Sequence, residues 1–189
     1  MRQLFTLCFF VFTVFTTKAQ FTFTPQIDVG YSLMDLNKTN GFLLGLGVKT
    51  GYIIKKEHRI AVSGAYDYLF GKKNSTTGSK YEGMALMPFK LNYAFPILHG
   101  KNDTWYIEPN VGYAIFGGKS TKYKGVVGGI NFGTFDTDTD LNIGLEVAKL
   151  NGLNGLYGNI SLRFGFLDMF SSHDTYSTQP ESIIIRKAD

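Results

Sequence analysis

The chain has 189 residues, which suits a single domain, and it combines 22 glycines with 17 phenylalanines and 11 tyrosines. Many glycines together with many aromatic residues favour β-structure over helix. The formal charge is +4, but Arg2 and Lys18 lie in the first 19 residues, and the remainder has 17 basic and 15 acidic residues, or +2. That excess is too small to indicate nucleic-acid binding.

The N-terminus has the pattern of a secretory signal peptide. Arg2 gives a positive start, residues 4–17 form an apolar core, and Ala19 is the small residue before the cleavage point. The alternative is a transmembrane anchor, for which a core of fourteen residues is short. We therefore predict a signal peptide over 1–19 and one mature domain over 20–189.

The mature chain has no cysteine, because Cys8 lies in the predicted signal peptide. It therefore cannot form a disulfide or a thiolate metal site. After residue 19 there is also no run of 18 apolar residues. A closed β-barrel is then the structure with which this chain could cross a membrane.

Strand-type alternation recurs along the mature chain. In "FLLGLGVKTGYII" (42–54), one face has large apolar residues such as Phe42 and Leu44, and the other has glycines and Lys49. Seven segments of about ten residues show this two-residue period, as tilted membrane strands require. They are 26–34, 42–54, 59–70, 84–95, 105–116, 141–149 and 156–166.

The two faces of these segments predict which way each points. A β-sandwich would cover its bulky face with a second sheet and wet the other face with many charges. A soluble barrel of lipocalin type would need an apolar interior. Here the second face is mostly Gly, Ala, Ser and Asn, which fits a narrow barrel interior. We predict an all-β, eight-stranded, antiparallel up-and-down transmembrane β-barrel whose bulky face meets lipid.

Connection lengths orient the predicted barrel. Short periplasmic turns and long external loops are typical of outer-membrane barrels. The short connections are 55–58, 97–103 and 151–155, and the long ones are 72–83, 117–139 and 168–181.

The eighth strand has two candidates. We favour "ESIIIRKAD" (181–189), because it keeps every short turn at one end. The alternative is "INFGTF" (130–135), with the barrel ending near Phe170 and the rest forming a tail.

Seven charged residues fall on the small, inward face. They are Asp28, Lys49, Asp67, Lys90, Glu108, Glu146 and Arg163. An eight-stranded barrel has room only for its own side chains, and unpaired buried charge is costly. These groups are expected to form a paired structural network. The alternative is a narrow ion path or a proton-linked gate.

Catalytic and metal-binding patterns are weak in this sequence. Ser172, His173 and Asp174 are neighbours in a predicted external loop, whereas a catalytic triad is assembled from distant segments. "DTDTD" (136–140) could offer oxygen ligands to Ca²⁺, but it lacks the Gly and distal Glu of an EF-hand loop. We expect a solvated strand entrance there, and no catalytic residue, metal or cofactor.

Lysines are concentrated in the predicted external loops. Those expected to contact lipopolysaccharide at the rim are Lys72, Lys73, Lys80, Lys119, Lys122 and Lys124.

Three stretches also resemble a known family. "GMALMPFKLNYAFP" (83–96), "WYIEPNVGYAIFG" (105–117) and the strand pair of 140–169 resemble PorT-like, porin-type outer-membrane β-barrel proteins common in Bacteroidota. The resemblance implies a location in the cell outer membrane and insertion by the barrel-insertion machinery. It also implies partners in envelope or secretion complexes, and it offers no catalytic residues. Such barrels usually end on an aromatic residue, whereas this sequence ends "RKAD".

These observations favour a structural or interaction role carried by external loops. The alternatives are a small passive pore and a lipid-modifying enzyme of the outer membrane.

Overall fold

The computed structural model describes residues 19–54, 58–100, 103–118, 122–136, 139–151 and 156–166. It contains eight strands and a 3-10 helix at Asp35–Lys38. The strands are β1 (Ala19–Met34), β2 (Asn40–Ile54), β3 (His58–Gly71), β4 (Met84–His99), β5 (Thr104–Gly117), β6 (Lys122–Phe135), β7 (Thr139–Leu150) and β8 (Tyr157–Phe166). In the part of the chain described here, no helix is long and apolar enough to cross a membrane.

The eight strands form a closed antiparallel barrel in sequence order, which confirms the predicted fold class. Each strand pairs with the next, and β8 pairs with β1 from Gly165 opposite Gln26 to Tyr157 opposite Met34. Closure leaves no open sheet edge among these strands.

The prediction that 181–189 supplies the eighth strand was wrong. The barrel closes through β8, and the additional strand is β6, which contains the alternative segment 130–135. Residues 181–189 lie outside the described residues. The sequence of β6 resembles a loop because its fourteen residues include four glycines. Inside the barrel these glycines let neighbouring strands pack closely: a Cβ on Gly125 would lie 1.9 Å from the Lys149 carbonyl oxygen.

The added strand also changes which connections share an end of the barrel. The lower end, defined as the end where β1 begins, has the β2–β3, β4–β5 and β6–β7 connections. The upper end has the β1–β2, β3–β4, β5–β6 and β7–β8 connections. The predictions for 55–58 and 97–103 therefore place them correctly together. The predicted periplasmic turn 151–155 belongs to the opposite end, and 117–139 is not one loop.

The barrel is apolar outside and polar inside. Leu46 is 68% exposed and Phe89 57% exposed on the outer face, whereas Arg59 and Glu108 are fully buried. A soluble protein of this size hides large apolar residues and exposes its charges. The distribution here is the reverse of that rule.

Three layers fill the interior. An upper apolar layer is closed by Leu36 of the 3-10 helix. Its other buried members are Leu43, Leu69, Leu86, Ala114, Phe116, Val127, Ala148 and Leu150. A lower aromatic layer contains Tyr106 and Phe135 with Ala94. The charged side chains lie in the middle of the strands, between these two layers.

Candidate functional site

The structure places all seven predicted inward charges inside the barrel, and none is more than 7% exposed. It divides them between two networks and adds three buried partners that the sequence reading missed. The missed residues are Arg59, Tyr106 and Asp140.

The lower network is a ring of two cations and two carboxylates. Lys49 Nζ lies 3.0 Å from Glu108 Oε1 and 3.3 Å from Asp140 Oδ2. Arg59 lies 3.1 Å from Glu108 Oε2 and 2.8 Å from Asp140 Oδ2. Each cation therefore faces both carboxylates, so the network is neutral and its charges are mutually compensated.

Aromatic rings hold this network from below. The Arg59 guanidinium lies 5.1 Å from the ring centroids of both Tyr106 and Phe135. The Tyr106 hydroxyl donates a hydrogen bond to Asp140. A guanidinium beside two rings gains cation–π attraction, and together these groups close the lower end of the described interior.

The sequence parity of Arg59 and Asp140 indicates that both point into the barrel. Arg59 has the same strand parity as Asp67, and Asp140 has the same parity as Glu146. Arg59 begins the predicted segment 59–70 but is absent from the predicted inward charges, and Asp140 ends "DTDTD", which is predicted to be a solvated strand entrance. Asp140 is fully buried and ion-paired, which corrects its assignment to a solvated entrance.

Asp136 does act as a turn residue where β7 begins. Its Oδ1 accepts hydrogen bonds from the Thr139 backbone N–H at 2.7 Å and from the Thr139 hydroxyl at 3.1 Å. Among the residues described, no group of three or more His, Cys, Asp or Glu could hold a metal ion.

The upper network contains Asp28, Asp67, Lys90, Glu146 and Arg163. Glu146 Oε1 accepts hydrogen bonds from Lys90 and from Arg163, the latter at 2.5 Å. Arg163 Nε lies 3.5 Å from Asp28 Oδ2. Three carboxylates thus face two cations in this part of the interior, in contrast to the neutral lower network.

Asn131 joins the two networks. Its amide nitrogen donates to Glu108 at 2.8 Å, and its amide oxygen accepts from Arg163 at 2.9 Å. The described charges therefore belong to one continuous polar assembly. Perturbing one network is expected to affect the other.

Asp67 stands apart from these ion pairs. Its carboxylate leans over Gly45, where a Cβ would lie only 1.9 Å from Asp67 Oδ1. That oxygen is buried and has no hydrogen-bond partner within the described part of the chain. Asp67 is therefore the member of the upper network with the weakest compensation by positive charge.

Gly144 makes room for the link between the networks. A Cβ at this position would lie 2.5 Å from Asn131 Oδ1 and 2.8 Å from Arg163 NH1. A glycine is needed here because two hydrogen-bonded side chains already occupy that space.

Gly144→Val is expected to destabilise the folded barrel by about 1–3 kcal/mol through overpacking and loss of the Asn131–Arg163 hydrogen bond. The measurement is the urea-induced free energy of unfolding from lipid vesicles. Gly128→Val is the matched control, because its added Cβ would meet nothing nearer than the Asn110 carbonyl oxygen at 3.5 Å. Equal losses in the two variants would contradict the prediction.

Two small cavities interrupt the packing of the interior. One, beside Leu36 and Phe116, has a volume of about 20 Å³. The other, beside Asp28 and Lys90, has a volume of about 10 Å³. Each has space for about one water molecule at most. Neither is wide enough to admit a solute.

Lys72, one of the predicted rim lysines, contacts residues of its own chain. Its Nζ donates to the Asn37 carbonyl oxygen at 2.8 Å and lies 5.0 Å from the Tyr31 ring centroid. These contacts hold the 3-10 helix, and with it Leu36, over the upper end of the barrel. Lys72 therefore points to its own chain in this structure.

The exposed charges of the 3-10 helix pair locally. Lys38 Nζ lies 2.7 Å from Asp35 Oδ1. The hydrogen bond from Lys38 and its positive charge lower the pKa of Asp35, and the same hydrogen bond with the negative charge of Asp35 raises the pKa of Lys38. This pair is at the surface and adds little to stability.

The other predicted rim lysines are distributed over two places. Lys73 and Lys80 are exposed in the β3–β4 loop, which turns at Gly78. Lys122 and Lys124 are exposed on β6. Lys119 lies outside the described residues, as do Ser172, His173 and Asp174.

The fold defines a class of protein. The closed eight-stranded barrel is similar to the structure of Neisserial surface protein A, with 16% identity, a TM-score of 0.55, and coverage of 78% of this chain and 97% of that one. It is also similar to the outer-membrane enzyme PagL, with 15% identity, a TM-score of 0.54, and coverage of 75% and 97%. The chain thus has the fold of small outer-membrane β-barrels.

The comparisons go no further than this class. No protein-family model matches the chain, and no curated protein matches its sequence. The PorT-like resemblance therefore stays a prediction. Because an outer-membrane enzyme shares the fold, the expectation that this chain is not an enzyme also stays a prediction.

Proposed function

We propose that the protein is an integral outer-membrane β-barrel with a side-chain-filled interior, acting through its upper-end loops rather than by conduction or catalysis. The observation that carries this proposal is the reversed polarity of the barrel. Residues such as Leu44, Leu46 and Val62 are exposed around the outside, while the ion pairs are enclosed. Water would penalise that outer surface, whereas hydrocarbon would accommodate it.

Aromatic residues bound this apolar surface at two levels. At the lower level, the ring centroids of Phe21 and Tyr52 lie 5.5 Å apart. At the upper level, Phe42 and Phe70 lie 5.8 Å apart. From Phe42 to Tyr52 the strand rises about 33 Å, or about 25 Å along the axis at a tilt of about 40°. That height matches the apolar band of outer-membrane barrels.

Loop lengths support an orientation with the upper end outside the cell. The β3–β4 connection of the upper end runs from residue 72 to 83, whereas the lower-end connections have three or four residues. Outer-membrane barrels have short periplasmic turns and longer external loops. The loop is also ordered: Asn74 Oδ1 accepts from the backbone N–H groups of Thr76 and Thr77 at 2.8 and 3.2 Å.

An ordered external hairpin of this kind could bind a partner without large rearrangement. Lipopolysaccharide and the barrel-insertion machinery are the partners that this location requires. Envelope or secretion-complex proteins would meet the upper loops.

A first experiment tests the location and the closed barrel together. The chain with its predicted signal peptide is produced in a Gram-negative host, and the outer-membrane fraction is run on a gel with and without boiling. Recovery in that fraction with a heat-dependent shift is the expected result. Recovery as a soluble periplasmic protein without a shift would contradict the proposal.

A second experiment separates the filled barrel from the alternative of a passive pore. Purified protein in a planar bilayer is expected to give no single-channel conductance above background, because the described interior is packed and ion-paired. Regular conductance steps would instead favour the pore. Glu108→Gln serves as the companion variant. It breaks the ion pairs of the lower network, so any ion conductance through the interior should be higher in this variant than in the unmodified protein.

A further inference from the structure

Charged side chains of the described strands divide unevenly between the two faces of the barrel wall. These strands contain twelve Asp, Glu, Lys and Arg residues, and nine of the twelve are buried inside the barrel. The other three are exposed on the outer face, and all three are lysines. They are Lys122, Lys124 and Lys149. No Asp or Glu of these described strands faces outward.

The three lysines are neighbours on adjacent strands. Lys122 and Lys124 are alternate residues of β6. Lys149 of β7 pairs with Val126, which places it diagonally next to Lys124. Diagonal neighbours on one face are about 7–8 Å apart, within reach of two flexible lysine side chains. The three ammonium groups can therefore converge on one ligand.

Their height on the barrel is also defined. β6 begins and β7 ends at the upper end, and Asn151 beyond β7 donates to the Lys124 carbonyl oxygen at 2.9 Å. Tyr113, an exposed aromatic residue, pairs with Val126 one pleat below Lys124. The lysines thus lie at the boundary where an apolar outer face gives way to polar surroundings.

We propose that Lys122, Lys124 and Lys149 form a binding site on the outer wall for the phosphate groups of lipopolysaccharide. This inference rests on the proposed membrane location and on the upper end being external. Ammonium groups avoid the hydrocarbon and bind phosphate as point charges. A phosphate group placed between the three ammonium groups would be attracted by all of them.

The structure also separates this site from the other rim lysines. Lys72 is engaged by Asn37 and Tyr31, and Lys73 and Lys80 belong to the β3–β4 loop. Lys122, Lys124 and Lys149 therefore form a group on β6 and β7 that is apart in sequence from the lysines of the β3–β4 loop. Lys149 was not among the lysines that the sequence predicted; its parity with Leu145 directs it outward, but its position beside Lys124 follows only from the strand register.

The test measures binding of lipopolysaccharide to the folded protein in detergent, with dephosphorylated lipopolysaccharide and phosphatidylglycerol as parallel ligands. Replacing all three lysines with Gln is expected to weaken lipopolysaccharide binding on the order of a hundredfold. The Lys→Arg triple variant should retain binding, since the charges are kept. The matched control is Lys73→Gln with Lys80→Gln, which should bind like the unmodified protein.

Each outcome has a defined meaning. Unchanged binding by the heat-shifting Gln triple variant would overturn the site. Equal binding of dephosphorylated lipopolysaccharide would overturn the phosphate assignment, and equal binding of phosphatidylglycerol would overturn the choice of lipid. If the unmodified protein shows no heat shift and no outer-membrane recovery, the proposed function fails instead. Retained affinity in the Arg triple variant, with loss in the Gln variant, supports the proposal.

Discussion

Glu108→Gln is expected to destabilise the folded barrel by about 3–5 kcal/mol, because it leaves buried cations without their carboxylate. Glu108 faces Lys49 at 3.0 Å and Arg59 at 3.1 Å, and it also accepts from Asn131 at 2.8 Å. The amide of Gln keeps the volume but removes the charge. Two cations would then depend on Asp140 alone. The measurement is urea-induced unfolding from vesicles, followed by the fluorescence of Trp105, the only tryptophan.

Two further variants make this expectation specific. The double variant Lys49→Met with Glu108→Gln should lose less unfolding free energy than the sum of the losses in the two single variants. In the double variant one cation, Arg59, and one carboxylate, Asp140, remain paired. Asp67→Asn should lower the unfolding free energy only slightly, because the carboxylate that it removes has the weakest compensation by positive charge. A loss in Asp67→Asn as large as that in Glu108→Gln would contradict the account of the two networks.

Leu46→Arg is expected to destabilise the barrel by about 2–4 kcal/mol, the cost of a cation at the bilayer midplane. Leu46 is 68% exposed and lies between the aromatic levels marked by Phe42 and Tyr52. At an equally exposed site of a soluble protein, the same change would be almost neutral. The measurement is the unfolding free energy from vesicles.

Leu98→Arg is the matched control for this second prediction. Leu98 is 66% exposed but lies near the lower end of β4, where a cation can reach the interface. Its replacement should cost about 0–1 kcal/mol. Equal losses of unfolding free energy at the two positions would mean that the cost of an arginine does not vary with depth, which would contradict the proposed membrane location.

Strand alternation could be predicted from the sequence because it is a local property. Large and small residues at every second position fix which face of each strand is bulky, whatever the strand pairs with. All seven predicted segments became strands, and the seven predicted inward charges are buried. The absence of a run of 18 apolar residues after residue 19 is also a local property of the sequence.

The strand count depended on information that is not local. The glycines of β6 resemble loop residues until a neighbouring backbone lies against them, as the Lys149 carbonyl oxygen lies against Gly125. Missing β6 reversed the end assigned to 151–155 and favoured 181–189 as a strand. The three consecutive isoleucines of 181–189 favoured a strand there, but the barrel closes by pairing β8 directly with β1.

The sequence by itself determined a chain of alternating strands with a bulky apolar face and a small polar face, and from that the class of a closed barrel. Only the tertiary structure decided which charges pair, because Lys49 meets Asp140 across 91 positions of the chain. It also decided that Asp67 leans over Gly45 and that Lys149 joins Lys124 on the outer wall. The alternation of side chains between the two faces is a property of each strand by itself. These contacts depend instead on how far neighbouring strands are shifted relative to each other, and closure of the barrel fixes that shift.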